Sequence, residues 1–348
     1  MSFTSWKKYI EDGDLVIFYI NRDNLSPVWI KSGKESHNRF GIFKHDDLIG
    51  KEFGSRVISS NYKGFIYVLH PTPELWTLVV PHRTQILYLP DISFITTYLD
   101  MKPGSQVIEC GTGSGSFSHS IARTIAPTGK LFTFEYHKMR AEVATEEFRS
   151  HGLENLITLE HRDVCKDGFG MKDTVNAVFL DLPAPWEAIA SAKEAFKQHR
   201  TGKICTFSPC IEQVARSVIA LNENGFVDIT MFECLFREHD TQPVYKISFQ
   251  EAIRQAKEKK MIANNNNNNT NIDQGEQQKD NSVGGKRKLD SDDSVEEVIE
   301  KILVSRTRVE ARGHTSYLTF ATFLPDIQEN LTEDVDMEEQ QQQSNENQ

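Results

Sequence analysis

A chain of 348 residues has room for two domains, or for one large domain with appendages, at roughly 100 to 200 residues per domain. Its formal charge of -11 excludes a generically basic nucleic-acid coat, yet the acidity is local. Residues 326–348 hold eight acids and no Lys or Arg, and residues 264–300 hold nine acids against four bases, so the remainder carries about +2 and a nucleic-acid substrate stays open.

Five cysteines without a CxxC pair (Cys110, Cys165, Cys205, Cys210, Cys234) exclude a disulfide framework and point to a reducing compartment. No run approaches the roughly 20 apolar residues of a membrane span. The opening MSFTSWKKYIEDGDL carries acids early, unlike a presequence, so a soluble, unexported protein is expected.

From Asp14 to Leu89 the chain offers short β-rich runs (LVIFYI, VWI, FGIF, RVI, GFIYVL, LWTLVV) between turn residues. This predicts a small all-β domain over residues 1–89, a barrel or a sandwich. From Gln106 short apolar strands (QVIEC, LFTFEY, ITLEH, AVFLD, KICTFS, VDITMFECLF) alternate with helical segments, the pattern of a parallel α/β sheet covered on both faces. The predicted fold is therefore α/β, a Rossmann-like seven-stranded sheet over 90–262 and 310–325 beside the N-terminal β domain. The asparagine-rich stretch within 263–309 cannot bury enough apolar surface to offset its ordering entropy, and it reads as a disordered insertion. GHTSYLTFATFL (313–324) alternates like a strand and is expected to complete the sheet as a C-terminal hairpin, ahead of an acidic tail over 326–348.

Strand QVIEC runs through Glu109 and Cys110 into Gly111-Thr-Gly113-Ser114-Gly115-Ser116, followed by a helix. Glycines at a strand-to-helix turn permit positive φ and close backbone approach to a ligand. A dinucleotide fingerprint would require glycine where Ser116 stands. The GxGxG register with an acid two residues upstream points instead to S-adenosylmethionine, whose amine an acid near Glu109 would serve. Glu135, ending the second strand, is placed to accept ribose hydroxyls, and Asp163-Val164 after the third could meet the adenine amino group. Carboxylates at successive strand ends fit the rule that open α/β sheets bind ligands there.

The fourth strand ends in Asp181-Leu182-Pro183-Ala184-Pro185-Trp186. An acid with prolines and an aromatic beside it is similar to the loops of enzymes that methylate base nitrogens, although Leu182 departs from the strict double-proline form. Asp181 could also cap the helix expected over 186–198.

With PHRTQILYLPD (81–91), HPTPELW (70–76), FSPCIEQV (207–214) and GHTSYLTFAT (313–322), the chain resembles the catalytic subunit of eukaryotic tRNA adenine-N1 methyltransferases over residues 1–262 and again from 313. The resemblance implies methyl transfer to N1 of the T-loop adenine, tRNA position 58, and a nuclear heterotetramer with a non-catalytic homologous subunit that helps hold tRNA. It implies a cofactor pocket of Leu87, the turn Gly113 to Ser116 (with Ser114 and Gly115), Glu135, Arg140, Asp163 and Val164, with Asp181 at the catalytic position, to which the glycine-turn reading adds Glu109 and Gly111. Leu87 and Arg140 alone would read as a buried strand residue and a helix-surface base. Tyr88 matches a tyrosine that flanks the target base. Arg39-Phe40-Gly41, the loop from Cys205 through Ser208 and Pro209 to Glu212, and His314-Thr315 match tRNA-facing parts, though Cys205 and Cys210 themselves read as packing residues. Lys286-Arg287-Lys288 is a short basic run consistent with a nuclear address. The rival expectations are a methyltransferase of this fold acting on another RNA base, a small molecule or a protein, and the non-catalytic tRNA-holding subunit. In the latter, the glycine turn and Asp181 would be expected to decay.

Overall fold

The computed structural model describes residues 3, 5–237, 239–245, 253–254, 257, 301–307 and 316–325. Its first strands are β1 (Leu15–Asn21), β2 (Asn24–Trp29), β3 (Glu35–Asn38), β4 (Gly41–Lys44), β5 (Arg56–Ile58) and β6 (Phe65–Leu69). They form an antiparallel sheet in the order β2-β1-β6-β5 and a separate β3-β4 pair. Alternation puts Val16, Phe18, Ile66 and Val68 on one face, where they pack with Ile10, Ile30, Phe43 and Leu48 as the small domain's own core.

The run LWTLVV departs from its predicted strand. It lies in helix α1 (Pro73–Val79), because the Thr72 side chain accepts from the Leu75 N–H and Pro73 occupies the first helical position. Helix α2 (Leu89–Tyr98) follows, so the β-rich region gives way to helix before residue 89.

Beyond α2 the predicted alternation holds: β7 (Gln106–Cys110), α3 (Ser116–Ile125), β8 (Lys130–Glu135), α4 (Lys138–Ser150), β9 (Ile157–His161), the single turn α5 (Val164–Asp167) and β10 (Ala177–Leu180). A 3-10 turn at Pro185–Ala188 leads into α6 (Ile189–Ala195), then β11 (Gly202–Ser208), α7 (Ile211–Glu223) and β12 (Val227–Glu233). Strand β10 is buried at every position, as expected of a parallel strand covered on both faces. The 3-10 turn is preceded by Ala184 and has no side-chain cap, so Asp181 does not cap it and its carboxyl is left for another use.

Residues Arg237–Ala311 form a second compact unit, in which β13 (His239–Tyr245) pairs antiparallel with β14 (Lys301–Thr307). Strand β14 corrects the sequence reading, which placed KILVSRT inside the disordered insertion; its alternating Ile302, Val304 and Arg306 suit a strand, and Asn-rich composition ends before it. The asparagine run, Lys286-Arg287-Lys288, His314-Thr315 and the acidic tail lie outside the described residues. In the main unit β15 (Tyr317–Phe323) completes the sheet as expected, but by inserting antiparallel between β11 and β12.

The seven-stranded order is therefore β12-β15-β11-β10-β7-β8-β9. Chain order runs outward from β7 in one direction through β8 and β9, and from β10 in the other through β11. The crevice at the carboxyl ends of β7 and β10 is thus the topological switch point, where open α/β sheets bind ligands. Among the described residues no helix is long and apolar enough to cross a membrane.

Candidate active site

The turn after β7 takes positive φ at Gly111 (93°), Gly113 (55°) and Gly115 (74°). A Cβ at Gly111 would lie 2.3 Å from the Asp181 carbonyl oxygen. Glycine here lets the β7 turn and the β10 turn touch backbone to backbone, which closes the floor of the crevice. Gly111→Ala is expected to force these turns apart and abolish cofactor binding, since both the φ and the missing space oppose it. Wild-type affinity in calorimetry would show that the floor tolerates the shift.

Over this floor opens a cleft of about 500 Å³, within the range of small-molecule sites. Its lining gathers Leu87, Glu109, Gly111, Gly113, Ser114, Ser116, Glu135, Arg140, Asp163, Val164 and Asp181 from elements far apart in sequence. Gly115 is absent from the lining and serves the turn, with the Phe148 ring 3.1 Å from where its Cβ would be.

Each acid is held differently. Glu135 at the end of β8 accepts the Gly113 N–H (3.0 Å) and the His137 N–H (2.9 Å), so it ties the glycine turn to the start of α4. The Arg140 guanidinium lies 3.9 Å from the same carboxylate. Glu109 is buried and accepts from the Ser118 and Thr133 hydroxyls at 2.6 and 2.7 Å. Burial pushes its carboxyl up to about 7, the two hydroxyls opposing and the Asp181 and Glu135 charges adding. Asp181 continues the β10 ladder through its N–H to the Cys110 carbonyl (2.9 Å). Burial, and then the charge of Glu135, pushes it up to about 7 as well. Asp163 precedes α5 with Lys166 3.4 Å away.

Cleft chemistry discriminates between ligands. A pyrophosphate would meet Glu109, Glu135 and Asp181 at close quarters, a repulsion that the partly exposed Arg140 and Arg162 at the rim do not offset. A nucleoside bearing ribose hydroxyls and positive charge matches three carboxylates in a largely apolar cleft, and that is the description of S-adenosylmethionine.

The tRNA-facing expectations divide. Tyr88 sits beside Leu87, partly buried against the main core, and precedes α2. Arg39 and Phe40 form the tip of the β3-β4 hairpin, with the guanidinium 4.9 Å from the ring centroid, and Gly41 closes it at φ 126°. These three lie outside the cleft lining. Pro209 and Glu212 are exposed. Cys205 and Ser208 are fully buried at 0 %, which corrects the expectation that they face RNA: Cys205 points into the apolar layer with Phe179 and Leu318. Gln85, His137 and Arg162 also line the cleft and were missed: His137 and Arg162 follow strands β8 and β9, but neither is a carboxylate, and Gln85 stands at no strand end or glycine turn. Gln85 was within reach through the PHRTQILYLPD run that carries Leu87.

Comparison with known proteins now bears on this geometry. The family model described as "tRNA methyltransferase complex GCD14 subunit" matches residues 64–323. The chain belongs to this family. Relatives named tRNA (adenine(58)-N(1))-methyltransferase catalytic subunit include one from Dictyostelium discoideum, 43% identical over 91% of this chain and 98% of its own. Another, from Schizosaccharomyces pombe, is 41% identical over 93% and 97%. Among solved structures, a SAM-dependent O-methyltransferase from Thermotoga maritima is 26% identical, with a TM-score of 0.66 over 92% of this chain and 97% of that one. The tRNA (m1A58) methyltransferase of Aquifex aeolicus, 19% identical with a TM-score of 0.62 over 91% and 100%, shares the fold. The GCD14-family chain is thus a methyltransferase, and S-adenosylmethionine is its cofactor.

Proposed function

We propose that this GCD14-family chain is the catalytic subunit of a tRNA (adenine(58)-N(1))-methyltransferase, transferring methyl from S-adenosylmethionine to N1 of the T-loop adenine. The observation that carries the reading is Asp181, half-buried in the lining of the cleft, in a chain 43% identical over nearly its whole length to a catalytic subunit of that name. The non-catalytic alternative is disfavoured because Glu109, the three glycines and Asp181 are all present and assembled.

The cofactor supplies an electrophilic methyl on a positively charged sulfur. In this reading Glu135 accepts the ribose hydroxyls, Asp163 and the Val164 backbone meet the adenine amino edge, and Leu87 packs on the ring. Glu109 and the turn from Gly113 to Ser116 serve the methionyl end. The target adenine must leave its stack, because N1 lies on the Watson–Crick edge. Its lone pair is already a nucleophile, so the protein has to align it and to stabilise the positive charge that develops on the base. Asp181 does both: as an anion it accepts an N6 hydrogen, which turns N1 toward the methyl, and it places negative charge beside the cation being formed. Tyr88, next in sequence to the cleft-lining Leu87, is assigned to flank the base. The hairpin tip Arg39-Phe40-Gly41, exposed Pro209 and Glu212, and His314-Thr315 are assigned to the tRNA body.

We further infer a heterotetramer with a homologous, non-catalytic subunit, and residence in the nucleus. The charge supports the first: outside the acidic stretches the chain carries about +2, too little for the several phosphate contacts a tRNA needs. The isolated chain is expected to bind S-adenosylmethionine but to bind and methylate tRNA weakly. Adding the second subunit should raise both, with a steeper loss of binding as salt rises. Filter binding and labelled-methyl transfer at matched salt test this, and an isolated chain as active as the complex would refute the two-subunit reading.

A further inference from the structure

The segment that crosses from the N-terminal domain into the sheet passes directly over the glycine turn. The N–H groups of Arg83 and Thr84 both donate to the Ser114 hydroxyl oxygen, at 2.9 and 3.2 Å. The Arg83 side chain reaches further: Nε donates to the Gly113 carbonyl (3.4 Å), and Nη2 donates to Glu147 of α4 (2.8 Å). Both partners of this ion pair are mostly buried, at 17% and 14% exposure. Thr84 fills the space a Cβ at Gly113 would need, since its Oγ1 would lie 2.5 Å away. Two residues on, Ile86 and Leu87 line the cleft.

Arg83 therefore joins three parts of the cofactor site: its guanidinium touches the turn that faces the ligand and the helix that carries Arg140, and its own backbone belongs to the cleft roof that carries Leu87. An ion pair removed this far from water contributes little net stability, because desolvation offsets its Coulomb gain. What a planar fork with several fixed donors does supply is geometry, and a point-charge ammonium cannot reproduce it. Glu147 fits this account: burial pushes its carboxyl up while Arg83 opposes the rise, so it stays useful only with its partner in place.

We propose that Arg83 is a positioning residue for S-adenosylmethionine, which holds the glycine turn, the cleft roof and α4 in one arrangement through its bonds to the Gly113 carbonyl and Glu147. The proposal rests on the functional reading above and adds a residue outside the ligand-facing set.

Two variants of the full-length chain separate positioning from bracing, each measured by calorimetry with S-adenosylmethionine and by thermal unfolding without it. Arg83→Lys keeps the charge and loses the second donor; it is expected to bind about tenfold more weakly, the equivalent of one hydrogen bond, with Tm within about 2 °C of wild type. The exchange Arg83→Glu with Glu147→Arg restores the ion pair. It should recover Tm relative to Glu147→Arg alone but not affinity, because a carboxylate at position 83 repels the Gly113 carbonyl. Should the exchange variant fail to fold, Arg83→Lys decides alone. Wild-type affinity in Arg83→Lys, affinity that falls only in step with Tm, or full recovery of affinity in the exchange would each overturn the proposal and leave Arg83 a brace. A wild-type chain that binds no S-adenosylmethionine would instead overturn the functional reading on which it rests.

Discussion

Asp181→Asn is expected to lower methyl transfer by about a hundredfold or more, the usual cost of one electrostatic contact aimed at developing charge. Cofactor affinity should change little by comparison, and the ligand-free protein should become more stable at pH 8. The last effect follows from the position of the carboxyl, which burial and the neighbouring Glu135 push up to about 7. A buried carboxyl whose folded value is raised favours folding while protonated. That contribution is complete below the unfolded value near 4 and is lost as pH climbs through about 7. At pH 8 the wild type therefore carries a destabilising buried anion, worth on the order of a few kcal/mol, which the amide lacks. At pH 5 the two proteins should unfold at similar temperatures. The same titration requires wild-type transfer to rise as pH increases through about 7, because only the anion accepts from N6 and opposes the new positive charge. Thermal melts at the two pH values test the first part; equal stability of wild type and variant at pH 8 would mean that Asp181 titrates as an ordinary surface acid.

Glu135→Ala should act on binding. Its carboxylate is the acceptor for the N–H groups of both Gly113 and His137, so its loss loosens the glycine turn and removes the assigned ribose acceptor together. Charge-assisted bonds of this kind contribute roughly 1.5 to 3 kcal/mol each, which predicts affinity down by about a hundredfold and activity partly restored at high cofactor. Because the Glu135 charge helps raise Asp181, the variant's pH profile should also shift to lower pH. An unmoved profile would separate the two acids, and unchanged affinity would remove Glu135 from the cofactor site.

These residues differ in how visibly the sequence carries them. Strands β7 to β11 were legible because each is a short apolar run bounded by turn residues, and Glu109, Glu135, Asp163 and Asp181 could be placed because each stands at or just beyond a strand end. The cleft does collect them, with Leu87 and Arg140, which periodicity alone left as a core residue and a surface base. Misreadings occurred where local composition competed with context. LWTLVV has β-forming residues, yet the Thr72 cap and Pro73 start a helix there. KILVSRT follows a long polar stretch, and its pairing partner lies some sixty residues earlier, so no local pattern announces the β13-β14 ladder. Cys205 and Ser208 lie in a segment that resembles an RNA-facing loop, but strand β11 runs through Ser208 and buries both. Arg83 was invisible for a different reason: its three partners come from Gly113, Ser114 and Glu147, which only the folded chain brings together.

The central claim is that this cleft methylates N1 of one adenine in tRNA, and mapping the methyl group tests it most directly. The full-length chain, purified with its partner subunit, would be given S-adenosylmethionine carrying a labelled methyl and unmodified tRNA, and the product digested and sequenced. The label is expected on N1 of the T-loop adenine at position 58, and to be absent from the reaction with Asp181→Asn. Label on another base, on the exocyclic nitrogen of that adenine, or on protein in place of tRNA would contradict the account.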